Sequence, residues 1–357
     1  MELGIFMMPL HPPERRHADT YREDVELLTL AEQLGFVEGW IGEHGTMRWE
    51  NIPAPDQFLA YVTARTERIR LGTGVVLMAQ HHPANTANRL AQLDHLMRGR
   101  LNFGAGTGGV ATDVEMFGLD PNSNEIGDRM MRALDLIIKF WTEEPPYDYP
   151  GDYWPIKTSI RPESGLGWMH QPYQRPHPPI AIPGVGARSR LLYTAGQRGY
   201  WPMSTNFAHA RVLEGHWAQV AEGAASVGRV PDRRQWRIAR DIFVGETTAE
   251  ARRFATEGAM GRAFHEYWTQ LLPDRSREVF LASETTSLSE WTLDYVLDNV
   301  WIVGDPDEVA RQLRALYHRV GGFGTLLMIS HDWDDPVRWQ RSMHLLATEV
   351  LPRLADL

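Results

Sequence analysis

The feature that most constrains the fold is a repeat of short apolar runs, each followed by a helical pattern, at intervals of about 30 to 35 residues. The runs at 3–9, 38–43, 69–78 and 100–106 have the length and aliphatic content of buried strands. A strand and its parallel neighbour must be joined by a long crossover, which is usually a helix. The repeat therefore predicts a parallel α/β sheet.

The intervals between these runs carry helix signals. Leu27, Leu30, Ala31 and Leu34 follow helical spacing, and Gly35 stands where a helix would end. Further helices are predicted at 55–68, 83–99, 125–142 and 305–322.

Four later runs, at 179–184, 199–204, 236–245 and 323–329, bring the predicted strands to eight. Eight strands with helices between them favour a closed (β/α)8 TIM barrel over an open doubly wound sheet. In such a barrel, the residues that follow each strand face the active-site mouth.

We predict a single domain over 1–357 with two insertions. The intervals at about 143–178 and 246–300 are too long for plain connections, so they are predicted to be insertions after strands four and seven.

Composition excludes several classes of protein. The net charge of -10 argues against nucleic-acid binding, and no apolar run approaches the roughly 18 residues of a membrane helix. The chain has no cysteine, so disulfides, thiolate metal sites and a cysteine nucleophile are excluded. The N-terminus lacks the basic region of a signal peptide, and a cytoplasmic protein is expected.

The segment "GWIGEHGTM" (39–47) places Glu43 and His44 at the end of the second strand, before a break at Gly45. A histidine at the mouth titrates near neutral pH and suits proton transfer or stabilisation of an oxygen anion. The alternative is a hydrogen-bonded structural histidine. His81, His82 and His331 also follow strands, but their spacing is not that of metal ligands, and no metal is predicted.

Two glycine-rich loops follow strands. "FGAGTGGV" fits G-x-G-x-x-G through Gly104, Gly106 and Gly109, but no prompt helix is expected after it, which disfavours a dinucleotide fold. The alternatives are a tight barrel loop or a loop that passes close under a flat cofactor.

The second loop, "IPGVGARSR", is followed by a helix predicted to begin near Ala187, an arrangement that favours a phosphate site. Arg188 and Ser189 would add a charged donor and a hydroxyl. On the residues alone, a glycine-rich turn with a surface arginine is an equal alternative.

Several segments together resemble one known family: "GIFMMPLHPP", "GFVEGWIGEH", "RIRLGTGVVLMAQHHP", "LDHLMRGRLNFGAGTGGVATDVEMFGLDP", "AGQRG" and "GGFGTLLMISHDW". The family is that of the bacterial-luciferase-like flavin-dependent monooxygenases, in its limonene monooxygenase-like branch. The resemblance implies a barrel that binds reduced FMN, lets O2 add at the flavin C4a atom, and uses the peroxyflavin to oxygenate a hydrophobic molecule such as a terpenoid or cyclic ketone.

The resemblance also implies roles for individual residues. His44 matches the mouth histidine of the family, which is catalytic. The residues implied to bind the cofactor are Gly74 and Val75 in a bulge that often contains a cis peptide, Thr107 and Gly108 beside the flavin, Asp113 just beyond them, and Gly184, Gly186, Arg188 and Ser189 around the phosphate.

One position departs from the family. Many relatives have Glu-His-His where this chain has Glu43, His44 and Gly45. We expect Gly45 to open room for a bulkier substrate, with His81 or His82 taking over a polar contact in the substrate pocket.

The resemblance further implies a homodimer that receives reduced FMN from a separate flavin reductase. Two alternatives stay open on the sequence. One is a deazaflavin (F420)-dependent dehydrogenase on the same barrel, and the other is a non-catalytic flavin-binding protein.

Overall fold

A computed structural model of the chain describes residues 1–272 and 277–357. The predicted insertion at 246–300 includes residues 273–276, which lie outside this description. The prediction of a single domain over 1–357 stays a prediction. The contacts between residues group into two compact units, the first made of Met1–Trp40, Met47–Asn51 and Ala181–Leu357, and the second of Ile41–Thr46 and Ile52–Ile180.

The strands of the first unit pair in parallel. The first strand of the chain aligns with the last, from Glu2 opposite Thr325 to Phe6 opposite Ile329. Over both units, the strands in chain order are β1 (Glu2–Met7), β2 (Glu38–Ile41), β3 (Arg70–Thr73), β4 (Val76–Leu77), β5 (Leu101–Gly106), β6 (Asp148–Tyr149), β7 (Ile156–Lys157), β8 (Ile180–Gly184), β9 (Trp201–Ser204), β10 (Arg237–Arg240), β11 (Ile242–Val244), β12 (Ile302–Gly304) and β13 (Thr325–Ile329).

The order of the strands confirms the predicted (β/α)8 barrel. The nine-stranded sheet runs β3-β2-β1-β13-β10-β9-β8-β5-β4, and β3 also pairs with β5. The pairing of β3 with β5 closes the sheet into a barrel. Because β3 and β4 are the two halves of one predicted strand, the barrel has eight strands.

The helices predicted at 55–68, 83–99, 125–142 and 305–322 are observed, and further helices form where none was predicted. Asp305 caps one of them by accepting a hydrogen bond of 3.0 Å from the Glu308 N–H, and that helix ends at Gly321 in the left-handed conformation. The helices are α1 (His17–Gln33), α2 (Pro55–Val62), α3 (Pro83–Leu96), α4 (Ala111–Glu115), α5 (Glu125–Thr142), α6 (Arg190–Arg198), α7 (Ala210–Ala225), α8 (Thr248–Glu257), α9 (Ala259–Ala263), α10 (Thr269–Leu271), α11 (Leu293–Asn299), α12 (Pro306–Val320) and α13 (Pro336–Leu345).

Alternate side chains of the strands in the first unit form one apolar core. Trp40, Met203 and Leu327 are buried in it, each from a different strand. Small residues such as Ala181 and Ala239 lie beside them, and this mixture of sizes lets the side chains interdigitate.

The prediction for the seventh strand was partly wrong. The run 236–245 forms two strands, because the chain breaks at Asp241, whose carboxylate accepts hydrogen bonds from buried polar side chains. Beyond the break, β11 leaves the barrel and pairs in parallel with β12, a strand that lies just after the predicted insertion and that the sequence analysis missed.

Two smaller differences concern loops. The five-residue helix α4 follows the glycine-rich loop at 104–109, where no prompt helix was expected. The first insertion contains the antiparallel pair β6 and β7. No helix within residues 1–272 and 277–357 is long and apolar enough to cross a membrane.

Candidate functional site

His44 lies just beyond the end of β2, in the second unit. Its backbone N–H donates to the Ile52 carbonyl oxygen at 3.3 Å, which holds the segment in place. Its side chain is 16% exposed, and its Nδ1 lies 2.8 Å from Oδ2 of Asp113. A histidine and a carboxylate separated by 69 positions are thus brought together.

Asp113 is buried and receives several hydrogen bonds. Besides His44, it accepts from the Gly45 N–H at 3.1 Å, the Thr46 N–H at 2.7 Å and the Thr46 hydroxyl at 2.5 Å. Burial alone would raise the pKa of Asp113, but the hydrogen bonds from His44 and Thr46 outweigh it and hold that pKa below its usual range.

The ionised state of Asp113 fixes the form of the His44 ring. A carboxylate only accepts hydrogen bonds, so the His44 Nδ1 must carry the hydrogen that points at Asp113. The Nε2 atom of His44 is then the ring nitrogen that can take up or release a proton. The arrangement suits a proton-transfer group held in a single orientation.

Glu43 precedes His44 directly in the sequence, but its side chain contacts other residues. Its carboxylate pairs with His81 and accepts the Leu77 N–H at 3.1 Å. His82 is exposed and caps α3, with its Nδ1 accepting the Ala84 N–H at 3.3 Å. Contact of His81 or His82 with a substrate stays a prediction.

The segment between β3 and β4 contains the cis peptide bond, Gly74–Val75, that the resemblance implies. The Gly74 N–H donates to the Ile41 carbonyl oxygen at 2.6 Å, next to the end of β2. Gly108 adopts a φ of +79°, and a Cβ at this position would lie 2.9 Å from the Leu77 side chain. The loop of Thr107 and Gly108 is therefore packed against β4, beside the cis peptide.

The predicted phosphate loop follows β8 in the first unit. The prediction that a helix begins near Ala187 was wrong, because α6 begins at Arg190, with Ser189 as its N-cap. The Ser189 oxygen accepts the Leu192 N–H at 3.3 Å, so its own hydrogen can still donate to a ligand. The N–H groups at the start of α6 add further donors.

The rest of this loop also suits an anion. Arg188 is exposed, and no partner for its guanidinium exists within the described residues. A Cβ at Gly186 would meet nothing within 4 Å, so the loop is open at this point. A Cβ at Gly184 would lie 2.3 Å from the Leu192 side chain, so Gly184 is needed for the packing of α6. Donors, one cation and open backbone fit a phosphate group.

A third imidazole–carboxylate pair lies at the ends of the strands of the first unit and was missed by sequence reasoning. His331 Nε2 is 2.8 Å from Asp241 Oδ1, and Asn206 donates to the other oxygen at 2.8 Å. Asp241 stood inside a predicted strand, so nothing marked it as a polar partner. Within the described chain, no group of three or more potential ligands could hold a metal ion.

Residues 1–322 match the family described as luciferase-like monooxygenase. The chain belongs to the luciferase-like monooxygenase family. The resemblance stated from the sequence is thereby confirmed over most of the chain.

Three members of the family illustrate the likeness. The chain is 32% identical to 4-hydroxyprotoasukamycin monooxygenase of Streptomyces nodosus subsp. asukaensis, over 99% of this chain and 92% of that protein. It is 30% identical to limonene 1,2-monooxygenase of Rhodococcus erythropolis, over 99% and 86%. Its fold matches the oxygenating constituent of 3,6-diketocamphane monooxygenase from Pseudomonas putida, a type II Baeyer-Villiger monooxygenase solved with FMN, at a TM-score of 0.91, 29% identity and coverage of 99% and 98%.

Proposed function

We propose that the protein is the oxygenating component of an FMN-dependent monooxygenase that acts on a hydrophobic cyclic compound, such as a terpenoid or a cyclic ketone. The observation that carries this proposal is the His44–Asp113 pair beyond β2, in a chain that matches an FMN-bound oxygenating constituent along its length. Diketocamphane and limonene, which appear in the names of relatives, are both hydrophobic and cyclic.

Reduced FMN, when bound, supplies the two electrons that activate O2. One oxygen atom enters the substrate and the other leaves as water, so protons must be delivered to the leaving oxygen. His44 is the group that we assign to this task, through Nε2, because Asp113 holds the hydrogen on Nδ1.

The remaining residues hold the cofactor. Arg188, the Ser189 hydroxyl and the N–H groups at the start of α6 bind the phosphate. The open backbone at Gly186 lets the phosphate approach, and Gly184 lets the loop pack against α6. The backbone of Gly74 and Val75 and the loop of Thr107 and Gly108 line the flavin ring. We assign Asp113 to the orientation of His44, although the resemblance placed it among the cofactor contacts.

The protein works with partners. A name such as "oxygenating constituent" for a relative supports a second protein, a flavin reductase, as the source of reduced FMN.

A homodimer through the early helices is supported by Tyr61 of α2 and Leu96 of α3, large apolar side chains that are 54% and 52% exposed. Sedimentation analysis tests the dimer. A cytoplasmic location stays a prediction.

The proposal is tested by giving the protein photoreduced FMN, 18O-labelled O2 and a panel of cyclic ketones and cyclic terpenes. The expected result is a product that carries one 18O atom, with little hydrogen peroxide. His44→Gln is the matched variant, and it should form peroxide in place of product because the proton donor has been removed.

Two other outcomes would contradict the proposal. Oxidation of a substrate without label, coupled to reduction of a deazaflavin, would indicate the F420-dependent dehydrogenase. Tight binding of FMN with peroxide as the sole product across the whole panel would indicate a non-catalytic flavin-binding protein.

A further inference from the structure

Glu43 lies beyond β2 and directly before His44, but the proposed chemistry does not use it. The residue is 5% exposed. One of its carboxylate oxygens accepts the Leu77 N–H at 3.1 Å, and the other contacts Nε2 of His81. Burial of a carboxylate is unfavourable unless it is hydrogen-bonded, and here both partners come from the chain just after Val75.

Beyond the end of β2, a side chain supplies the acceptor for the Leu77 N–H. Ile41 is the final residue of β2, and its carbonyl oxygen accepts the Gly74 N–H at 2.6 Å. Further along, β4 pairs with β5, where Leu77 lies opposite Gly106. The Leu77 N–H does not bond to β5 but to the carboxylate of Glu43. This carboxylate therefore takes the place that a backbone carbonyl of a longer β2 would hold.

The residues between Gly74 and Leu77 are thus anchored at both ends. The two anchors are Ile41 and Glu43, and the short segment that contains them also carries His44. One segment of four residues therefore sets both the position of the histidine and the position of this backbone.

We propose that Glu43 is a positioning residue that sets the distance between the flavin ring and His44, by fixing the backbone on which the ring rests. The inference rests on the proposed function, which places the ring against the backbone of Gly74 and Val75. A misplacement of about 1 Å between reacting groups can lower a rate by about 10²-fold, so a small shift of this backbone is enough to impair proton transfer from His44.

The test uses Glu43→Leu, which keeps the approximate size of the side chain but removes both acceptor oxygens. The affinities of oxidised FMN and of riboflavin should both fall, each by about tenfold, because the support of the ring is disturbed and the phosphate site is not. The yield of labelled product per O2 consumed should also fall by about tenfold or more, with hydrogen peroxide in its place. Fluorescence titration and the ratio of product to peroxide measure these changes.

Two further readouts do not depend on turnover. Hydrogen exchange at the Leu77 amide needs no flavin, and it should be faster in Glu43→Leu because the acceptor is gone. The visible circular dichroism of bound FMN reports the surroundings of the ring, and it should change in the same variant.

Glu43→Gln is the conservative variant. Its amide oxygen can still accept the Leu77 N–H, and its amide nitrogen can donate to a neutral His81 ring. It should therefore restore both flavin affinities, the dichroism and most of the yield.

Leu90→Ala controls for stability. Leu90 is a buried residue of α3 that lines the same small cavity as Glu43. Loss of its side chain should lower the melting temperature while leaving the flavin affinities and the yield unchanged. If Glu43→Leu does not fold, Glu43→Ala replaces it, because the space that it leaves can admit water, and the same changes are expected in smaller size.

Wild-type affinities, yield and exchange in the folded variant would overturn the positioning role. An equal loss in Leu90→Ala, or a loss confined to FMN, would overturn it as well. A wild-type protein that binds both flavins but gives no labelled product would instead remove the proposed function, while the affinities, the dichroism and the exchange would still decide whether Glu43 positions the ring.

Discussion

At the scale of single residues, the site is defined by which carboxylate holds which imidazole. Glu43 and His44 are neighbours in sequence, yet Glu43 pairs with His81 and His44 pairs with Asp113. Adjacent residues after a strand point in different directions, so each finds its own partner. The pair that includes Asp113 orients a partly exposed ring, and the pair that includes Glu43 also anchors the backbone of β4 at Leu77.

Asp113→Asn tests the orientation of His44. The amide oxygen can still accept from the Gly45 and Thr46 N–H groups, but the amide nitrogen would face Nδ1 as a donor, so the His44 hydrogen must move to Nε2. We expect the yield of product per O2 consumed to fall by about 10²-fold or more, with hydrogen peroxide in its place. The measurement is the ratio of product to peroxide, together with FMN affinity.

Thr112→Ala is the control for this variant. It removes the 2.7 Å hydrogen bond between the hydroxyls of Thr112 and Thr46 and leaves those of Asp113 in place, so it should behave as the wild type. A large loss of FMN affinity in Asp113→Asn would favour the cofactor contact implied by the resemblance. Unchanged coupling would remove Asp113 from the mechanism.

Gly45 is the residue at which substrate size can be tested. A Cβ on Gly45 would find its nearest neighbour, Asp113 Oδ1, at 3.7 Å, an ordinary contact, so a side chain can be added. We expect Gly45→His to fold normally and to lower kcat/KM for bulky cyclic substrates by about tenfold or more, with a smaller effect on small ones. Gly45→Ala should be intermediate, and a wild-type profile for Gly45→His would contradict the idea.

At the scale of elements, the loop between β8 and α6 brings a cation to a helix N-terminus. Arg188→Ala should weaken FMN by about tenfold or more and leave riboflavin nearly unchanged, because only FMN offers a charged acceptor. Fluorescence titration of both flavins checks this. Arg253→Ala, on α8, removes another exposed arginine and should change neither affinity. Equal loss of both flavins in Arg188→Ala would place the phosphate elsewhere.

Elements with a regular apolar pattern could be predicted from the sequence, and elements defined by a single polar side chain could not. The helix predicted at 125–142 is observed at Glu125–Thr142 because its apolar spacing and acidic first turn agree. The run 236–245 mixes apolar residues with Arg237, Arg240 and Asp241, and the strand divides at Asp241 because of the buried contacts of that side chain. Those contacts come from Asn206 and His331, which are distant in sequence, so no local sequence pattern predicts them.

The same limit applies to the site. The position of His44 after a strand was visible in the sequence, whereas its pairing with Asp113 depends on the barrel that brings the ends of β2 and β5 to one face.

At the scale of the whole molecule, the first and last barrel strands are joined by ion pairs as well as by backbone hydrogen bonds. His11, beyond β1, lies between Asp24 of α1, with a nitrogen–oxygen distance of 3.1 Å, and Asp332, beyond β13, at 2.7 Å. Both ring nitrogens face carboxylates, so the ring must carry both hydrogens. Arg15 contacts the same Asp332 at 2.7 Å. This buried cluster ties α1 and both strands together.

The cluster predicts how stability depends on pH. Burial alone would lower the pKa of His11, but Asp24 and Asp332 outweigh it and raise that pKa to about 9 from its ordinary value of 6.5. Because the folded-state pKa is the higher one, the stabilisation is present in full below pH 6.5 and is lost as the pH rises through 9. The shift corresponds to a free energy on the order of 3 kcal/mol.

Urea unfolding of the wild type and of His11→Gln across this pH range measures the effect. The variant should be much less stable than the wild type at the acidic end, because Asp24 and Asp332 then lack the imidazolium between them and only Asp332 keeps a cation, Arg15. The difference in stability should narrow toward the alkaline end. His17→Gln, which changes an exposed histidine of α1, is the control and should keep the wild-type dependence. A gap between His11→Gln and the wild type that does not vary with pH would mean that His11 stabilises the fold by packing alone.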